Sequence, residues 1–434
     1  MRHRAAFGFA ALVGAALVVL GGGHGGGPSG SALADPGADL PRLVEEFAGG
    51  SSRSAVRRLE TAVEQDENAR TLALLGIAYQ QLARETGDAS WLGRSREALR
   101  RATDKQPNDP LALSASAQLA VTRHRFREGA RIARRALALD PDDAAALAAL
   151  GDALVATGRH REAFRTYDRL AGQGPSVGAY ARVATARQLL GRPAAALEAM
   201  ELALEAGSAI PEQEAWALTR YGTLLVAASR LEEADAAFRR ALRLSPGYVH
   251  AQVGRARVSA AHGRFGEAAA RLRVVVDRLP LPEYAILLGD TLARSGDRSG
   301  ARRAYALVSS LERVLAANGV RTELQTALFD LDHGIRVGDA LSRARAAYAA
   351  APGIAAADAV AWGLERSGRC GEALRWSRRA LSLGTEDGIV LFHRGMIERC
   401  IYGAVAARPW FVRALAANPT FSLRWAPVAK RLAS

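Results

Sequence analysis

The chain has 434 residues, of which 49% are hydrophobic but only 6% aromatic, and its formal net charge is +14 at neutral pH. Because aromatic residues are scarce, alanine must supply much of the packing, which suits close helix pairing rather than a thick globular core. Lysine occurs only at Lys105 and Lys430, so the positive charge is almost entirely arginine, a bias typical of a GC-rich genome rather than of nucleic-acid binding.

Residues 1–34 have the features of an export signal. The basic start MRHR precedes the apolar run AAFGFAALVGAALVVL, and Ala32-Leu33-Ala34 fits a signal-peptidase site. No cysteine lies nearby, which excludes a lipoprotein anchor. A long glycine-rich stretch separates the run from the site, so an uncleaved N-terminal membrane anchor stays an alternative. Either way, the sequence predicts a secreted or cell-envelope protein.

Prolines mark a fixed period along the rest of the chain. Pro107, Pro141 and Pro175 lie 34 residues apart, as do Pro246 and Pro280. No segment alternates like a strand, and no linker divides the chain. The sequence therefore predicts one elongated helical domain despite its length.

Each period contains the pattern of two helices. A glycine returns at one register of the first helix, at Gly76, Gly151, Gly222, Gly289 and Gly395. Glycine within a helix costs roughly 0.5–1 kcal/mol relative to alanine, so its recurrence indicates a close helix–helix contact. In the second helix, Ala234, Phe238 and Ala241 share one face, and a proline follows the helix end.

This pattern resembles the tetratricopeptide repeat family over nearly all of the chain after the export signal. The resemblance implies an all-α fold, a right-handed superhelical solenoid of antiparallel helix pairs. Ten repeats would occupy residues 69–419, preceded by a degenerate half-repeat at 35–68 and followed by a capping helix at 420–434. Their predicted starts are Ala69, Pro110, Ala144, Val177, Ala215, Val249, Pro282, Arg321, Ile354 and Gly388. The C-terminal half is also similar to secreted actinobacterial tetratricopeptide proteins, a likeness that implies no activity.

The resemblance also suggests a binding surface, because first-helix residues form the inner wall of the family's superhelix. In repeats seven to ten, the residues placed toward that wall are Asp290, Phe329, Asp332, His333, Trp362, Glu365, Phe392, Met396 and Arg399. An aromatic wall with acidic edges suits an extended peptide that has apolar anchors and some positive charge. The alternative is that Trp362 and Phe329 only pack between adjacent first helices. The family's carboxylate-clamp residues are absent, so that ligand is not expected.

Two cysteines, Cys370 and Cys400, are the only ones in the chain. By register they lie on the same edge of neighbouring repeats, and an exported protein favours oxidised cysteines. The sequence therefore predicts a disulfide, with two buried free thiols as the alternative.

No catalytic motif is visible, so the sequence predicts a protein that is not an enzyme and has no cofactor. The nearest candidate for a metal site is the cluster of Asp330, Asp332 and His333. We interpret this cluster as the polar end of a first helix, and we expect no metal.

The favoured function is a non-enzymatic protein–protein interaction scaffold of the cell envelope or extracellular space. We expect a protein or peptide partner, no nucleic acid and a monomer. The alternatives are a structural component that self-associates through its ends, or a noncatalytic accessory subunit of an envelope enzyme. Arginine pairs recur on second helices, which suggests a solvated outer face that is attracted to an anionic envelope surface.

Overall fold

The computed structural model describes residues 39–49 and 52–434, and within them it contains 23 α-helices and no strand. We number these helices α1 to α23 in chain order. The chain begins with α1 (Asp39–Ala48) and α2 (Ser52–Gln65) and ends with α23 (Ala426–Ala433). The predicted export signal lies outside the described residues. Across the part that the structure describes, no helix combines the length and apolarity needed to span a bilayer.

Between these ends lie ten helix pairs. The first helices are α3 (Ala69–Thr86), α5 (Pro110–Thr122), α7 (Ala144–Ala156), α9 (Val177–Leu189), α11 (Pro211–Ala227), α13 (Val249–Ala261), α15 (Pro282–Ser295), α17 (Glu323–His333), α19 (Ile354–Arg366) and α21 (Gly388–Tyr402). The second helices are α4 (Ser90–Lys105), α6 (Phe126–Leu139), α8 (His160–Gly172), α10 (Pro193–Ala206), α12 (Leu231–Leu244), α14 (Phe265–Arg278), α16 (Arg298–Ala317), α18 (Val337–Ala350), α20 (Cys370–Ala380) and α22 (Ala404–Ala417). The predicted all-α solenoid of about ten repeats is confirmed.

Local chemistry fixes the starts of several first helices. The side chains of Asp109, Asp143 and Ser176 each accept a hydrogen bond from an amide in the first turn of the helix that follows. Proline occupies the first helical position at Pro211 and Pro282, where its missing N–H costs nothing. Eight of the ten first helices begin at the predicted residue, whereas α11 begins at Pro211 instead of Ala215 and α17 at Glu323 instead of Arg321.

The recurrent glycine makes room for a large side chain of its own repeat. A Cβ atom at Gly222 would lie 2.7 Å from the Phe238 ring of the same repeat, and one at Gly254, on the first helix of the next repeat, would lie 2.3 Å from that ring. The partners at the other registers are Leu99 for Gly76, Tyr167 for Gly151, Tyr305 for Gly289 and Phe411 for Gly395. The predicted close contact between paired helices is therefore confirmed.

Successive turns of the superhelix touch each other, which the repeat pattern does not predict. Arg123 donates to the Asn318 carbonyl, and His124 contacts the Arg321 carbonyl 197 positions along the chain. At Gly158, where φ is +74°, a Cβ atom would lie 2.4 Å from the Pro352 carbonyl oxygen. One turn thus takes between five and six repeats of 34 residues.

The C-terminal segment, residues 420–434, is only partly the helix that the sequence predicts. Its helix begins at Ala426, because the Ser422 hydroxyl accepts from the amides of Arg424 and Trp425 and so holds a turn before it. This turn directs Leu423 against the hydrophobic core formed by α13 to α16. The segment therefore lies inside the superhelix instead of only covering the last repeat.

The arginine pairs on second helices face outward as predicted. Both members are exposed in Arg134-Arg135, Arg239-Arg240, Arg302-Arg303 and Arg378-Arg379. Some make ion pairs with neighbouring repeats, such as Arg134 with Glu162 at 3.0 Å. This outer face is solvated and basic.

Candidate functional site

The residues predicted to line the inner wall of repeats seven to ten differ in accessibility. Trp362 is 0% exposed and Phe392 is also fully buried, while Phe329, Asp290 and Asp332 are buried. The remaining four are His333, Glu365 and Met396, which are partly buried, and Arg399, which is exposed. We call Phe329, Asp332, Trp362 and Phe392 the aromatic wall.

The C-terminal segment covers the aromatic wall. Asp332 accepts two indole N–H bonds, from Trp362 at 2.9 Å and from Trp425 at 3.0 Å. The Trp425 ring lies 5.7 Å from that of Trp362 and 5.4 Å from that of Phe392. Phe421 adds a further ring 5.7 Å from Phe392. The aromatic wall is thus occupied by a segment of the same chain.

This arrangement corrects the assignment of partner contacts to buried aromatic residues. Trp362 and Phe392 offer no surface to a partner while the C-terminal segment is in place. The alternative, packing between neighbouring elements, describes Trp362, and it describes Phe329, whose ring lies 5.5 Å from that of Tyr305. The sequence contained a signal that the C-terminal segment packs on the aromatic wall, because the predicted capping helix carries two aromatic residues, Phe421 and Trp425.

A buried ion pair, which the sequence reasoning missed, lies beside Trp362. His393 Nδ1 is 2.9 Å from the Asp358 carboxylate, and the imidazole stacks on the indole of Trp362 with ring centroids 4.3 Å apart. Burial disfavours the charged imidazolium, but the Asp358 carboxylate outweighs it and raises the pKa of His393. The pair fixes the orientation of the Trp362 ring.

The candidate metal cluster is dispersed among separate partners. Asp330 pairs with Arg336 and Arg343, whereas Asp332 accepts from the two tryptophans. His333 Nδ1 contacts the Phe329 carbonyl at 3.0 Å within its own helix, while its Nε2 lies 3.5 Å from Asp290. Among the described residues, no group of three or more potential ligands is arranged to hold a metal.

The predicted disulfide is confirmed. Cys370, the first residue of α20, is bonded to Cys400 near the end of α21, and their Cα atoms are 6.2 Å apart. The bridge joins the ninth and tenth repeats, two of the repeats along which the C-terminal segment lies.

A second region of the inner surface is not filled. A central cavity of about 190 Å³ lies between repeats one and two on one turn and repeats five to eight on the next. Its apolar lining includes Leu92, Trp216, Leu279, Leu315 and Val320. The cavity exists because two turns of the superhelix meet here without a side chain large enough to fill the gap.

The central cavity also contains ionisable groups. Arg84 lies 3.9 Å from Glu212, and both side chains are buried. Arg220 is 6% exposed, and no hydrogen bond or ion pair contacts it among the described residues. Burial lowers the pKa of Arg220 to about 10, and burial together with the Arg257 charge lowers that of His250 to about 4. Sequence reasoning did not single out any of these residues.

Comparison with known proteins identifies the repeats. Models of the tetratricopeptide repeat match residues 114–177 and residues 225–291. The chain carries tetratricopeptide repeats. No curated protein matches it significantly.

The solved structures that are similar to the chain include two tetratricopeptide-type examples. One is the crystal structure of the APC/C hetero-tetramer Cut9-Hcn1, with a TM-score of 0.34 and 13% identity over 93% of this chain and 97% of that one. The other is YrrB, described as a TPR protein with an unusual peptide-binding site, with a TM-score of 0.29 and 20% identity over 48% of this chain and 98% of that one.

Tetratricopeptide proteins are generally non-catalytic interaction scaffolds, and solenoids of this kind bind partners on their concave surface. In this tetratricopeptide array the concave surface has two parts, the covered aromatic wall and the central cavity.

Proposed function

We propose that this protein is an exported, non-enzymatic scaffold that binds a peptide segment of a partner on the aromatic wall, in competition with its own C-terminal segment. The observation that carries the proposal is the pair of indole N–H bonds on Asp332, one of which comes from the C-terminal segment. A chain segment in this position already makes the contacts that a bound peptide would make.

The chemistry of the C-terminal segment indicates which peptides would compete. It presents Phe421 and Trp425 as aromatic anchors and carries Arg424, Lys430 and Arg431 as positive charges. This combination of apolar anchors and positive charge is the one that the aromatic wall with acidic edges favours. A partner would therefore present a tryptophan or another aromatic N–H or O–H donor to Asp332, flanked by basic residues.

The segment that a partner would displace is short, although Phe421, Ala426 and Ala429 are buried against the last repeats. Its helix α23 has eight residues, and Trp425 remains partly exposed. An external peptide can bind only while the C-terminal segment has left the aromatic wall. Its apparent affinity is therefore reduced in proportion to the fraction of molecules in which the wall is free. Removing the segment's anchor should expose the binding site without changing the repeats.

A labelled peptide with the sequence of residues 420–434 tests this proposal in trans. It should bind full-length Trp425→Ala protein about tenfold or more tightly than wild type, a difference of about 1.4 kcal/mol. The matched control is Trp410→Ala, which removes a tryptophan of the adjacent repeat ten that lies on α22 and contacts Arg394 and Arg413 instead. This control should bind like wild type.

A second peptide, with alanine at both aromatic positions, should bind neither protein. Equal binding of the two peptides would show that the aromatic anchors do not matter, and absence of binding to Trp425→Ala protein would contradict the proposed site.

The proposed export rests on the first 34 residues and on the disulfide, since structural disulfides persist mainly in oxidising compartments. The N-terminal sequence of protein recovered from envelope and culture-fluid fractions tests it. We expect a mature start at Asp35, or an intact N-terminus in the membrane fraction if the segment is an anchor. Recovery in the cytosol with two free thiols would contradict export.

A further inference from the structure

We propose that the central cavity is a binding site for a small organic carboxylate whose apolar part is about the size of six to eight carbons. The inference concerns a surface separate from the aromatic wall, and it does not depend on the proposed peptide partner. It rests on a buried guanidinium without a partner, on the apolar lining around it and on the volume available.

The guanidinium of Arg220 is the group in the central cavity that would bind the carboxylate of the ligand. Arg220 lies on the inner face of α11 and is 6% exposed, yet no carboxylate or carbonyl contacts it among the residues that the structure describes. Charged groups that are buried are normally paired, because leaving water without compensation is costly. Since Arg220 lines the central cavity, a ligand placed there can supply the missing negative charge.

A buried arginine elsewhere in the inner surface shows the usual arrangement. Arg182 on α9 donates to both oxygens of Asp152, at 3.0 and 2.7 Å, and both side chains are 2% exposed. Bidentate contact of this kind is the preferred geometry between arginine and a carboxylate. Arg220 is also buried, at 6% exposed, but lacks the corresponding acid.

The two acidic residues that line the central cavity do not pair with Arg220. Glu212 lies near Arg84 and accepts from the Gln81 amide at 3.5 Å. Burial raises the pKa of Glu283, which favours its neutral form. Neither forms an ion pair with Arg220, so the positive charge of that residue is left for a ligand.

The volume and lining set the size and character of the rest of the ligand. An apolar cavity of about 150 Å³ accommodates benzene. The central cavity, at about 190 Å³, is somewhat larger and combines Leu92, Trp216 and Leu279 with the hydroxyls of Thr219 and Thr223. A carboxylate with a short alkyl chain or a single aromatic ring fits these dimensions. Because the lining comes from two turns of the superhelix, such a ligand would hold the turns together.

Octanoate is the probe for the test, with 1-octanol as its uncharged counterpart and phenylacetate as an aromatic carboxylate. Calorimetric titration of the full-length protein should detect octanoate or phenylacetate binding, and octanol should bind at least tenfold more weakly than octanoate. The ligand should also raise the melting temperature. No binding by either carboxylate at millimolar concentration, or equal binding of octanol and octanoate, would overturn the proposal.

Two substitutions locate the site. Arg220→Met keeps the length of the side chain without its charge and should weaken carboxylate binding at least tenfold, while Arg220→Lys should retain part of it. The control is Arg243→Met on the exposed face of α12, which should bind like wild type. The melting temperature of the unliganded variants shows whether each is folded. Unchanged octanoate affinity in folded Arg220→Met protein would show that any binding lies elsewhere.

Discussion

The inner surface of the superhelix is filled by the chain's own C-terminal segment along repeats eight to ten, whereas between repeats one and two and repeats five to eight it leaves the central cavity. The two regions also differ in whether a buried histidine has a carboxylate partner. His393 is paired with Asp358 and its pKa is raised, while His250 lacks a carboxylate partner and its pKa falls to about 4. The same repeat scaffold can therefore pack its inner surface with its own residues in one region and leave a cavity for a ligand in another.

The largest expected effect on stability is the difference between replacing Trp362 and replacing Trp216 with alanine. Trp362→Ala should lower the free energy of unfolding by about 3–5 kcal/mol, because it opens a fully packed site and removes one donor from Asp332. Trp216→Ala should cost less, since that side chain already borders the central cavity. Urea denaturation followed by circular dichroism measures both. An equal or larger loss at Trp216 would break the distinction between a filled and an unfilled region.

The disulfide should contribute nearly as much to the C-terminal region. A loop of 30 residues corresponds to about 3–4 kcal/mol by the chain-entropy model. The double variant Cys370→Ser/Cys400→Ser should therefore melt earlier, and hydrogen exchange should increase first in α20 to α23. If exchange increased equally around the central cavity, the bridge would not act locally.

Buried arginines should respond in opposite directions to the same substitution. Arg220→Met should raise the free energy of unfolding by on the order of 1 kcal/mol, because it removes an uncompensated buried charge. Arg182→Met should lower it by about 3–5 kcal/mol, because it leaves Asp152 buried without its partner. Thermal melts of the two variants decide the matter, and destabilisation by both would indicate that Arg220 has a structural role.

The smallest expected effects are those of pH on the two histidines. The folded-state pKa of His250, about 4, lies below the ordinary value of about 6.5. Between those values the unfolded chain binds a proton that the folded protein does not, so stability falls as the pH is lowered. His250→Gln should remove this loss, as measured by melting temperatures at pH 6.5 and 4.5. An unchanged acid slope would contradict the assignment.

His393 should act in the other direction. Because Asp358 raises its folded-state pKa, its contribution is complete below about pH 6.5 and is lost as the pH rises through the raised value. Asp358→Asn should flatten the decline in melting temperature above pH 6.5. The same slope in wild type and variant would mean that another group is responsible.

The repeat architecture was predictable because it depends on local, periodic signals. Gly222 and Phe238 contact each other within one repeat, and helix starts such as Asp109 before Pro110 are encoded by neighbouring residues. The partner of Arg182 was also within reach, since Asp152 occupies the corresponding face of the preceding first helix. Contacts within a repeat or between adjacent repeats follow from the register.

The turn-to-turn contacts were not predictable in the same way. The approach of Gly158 to Pro352 depends on the small rotation between each pair of repeats, summed over more than five of them. The position of the C-terminal segment and the existence of the central cavity both depend on this accumulated rotation. This is why the sequence placed the aromatic wall on the first helices but did not reveal the C-terminal segment that covers it.

Hydroxyl-radical footprinting of the six tryptophans tests the central claim, that the superhelix closes on itself and encloses its inner surface. Trp216 and Trp362 are buried against the interior, whereas Trp91, Trp376 and Trp410 are partly exposed on the outer side. We predict that mass spectrometry will find the first two protected and the other three labelled. Labelling of Trp216 at the rate of Trp376 and Trp410 would show an open superhelix and contradict the account, and labelling of Trp362 at that rate would show that the aromatic wall is not covered.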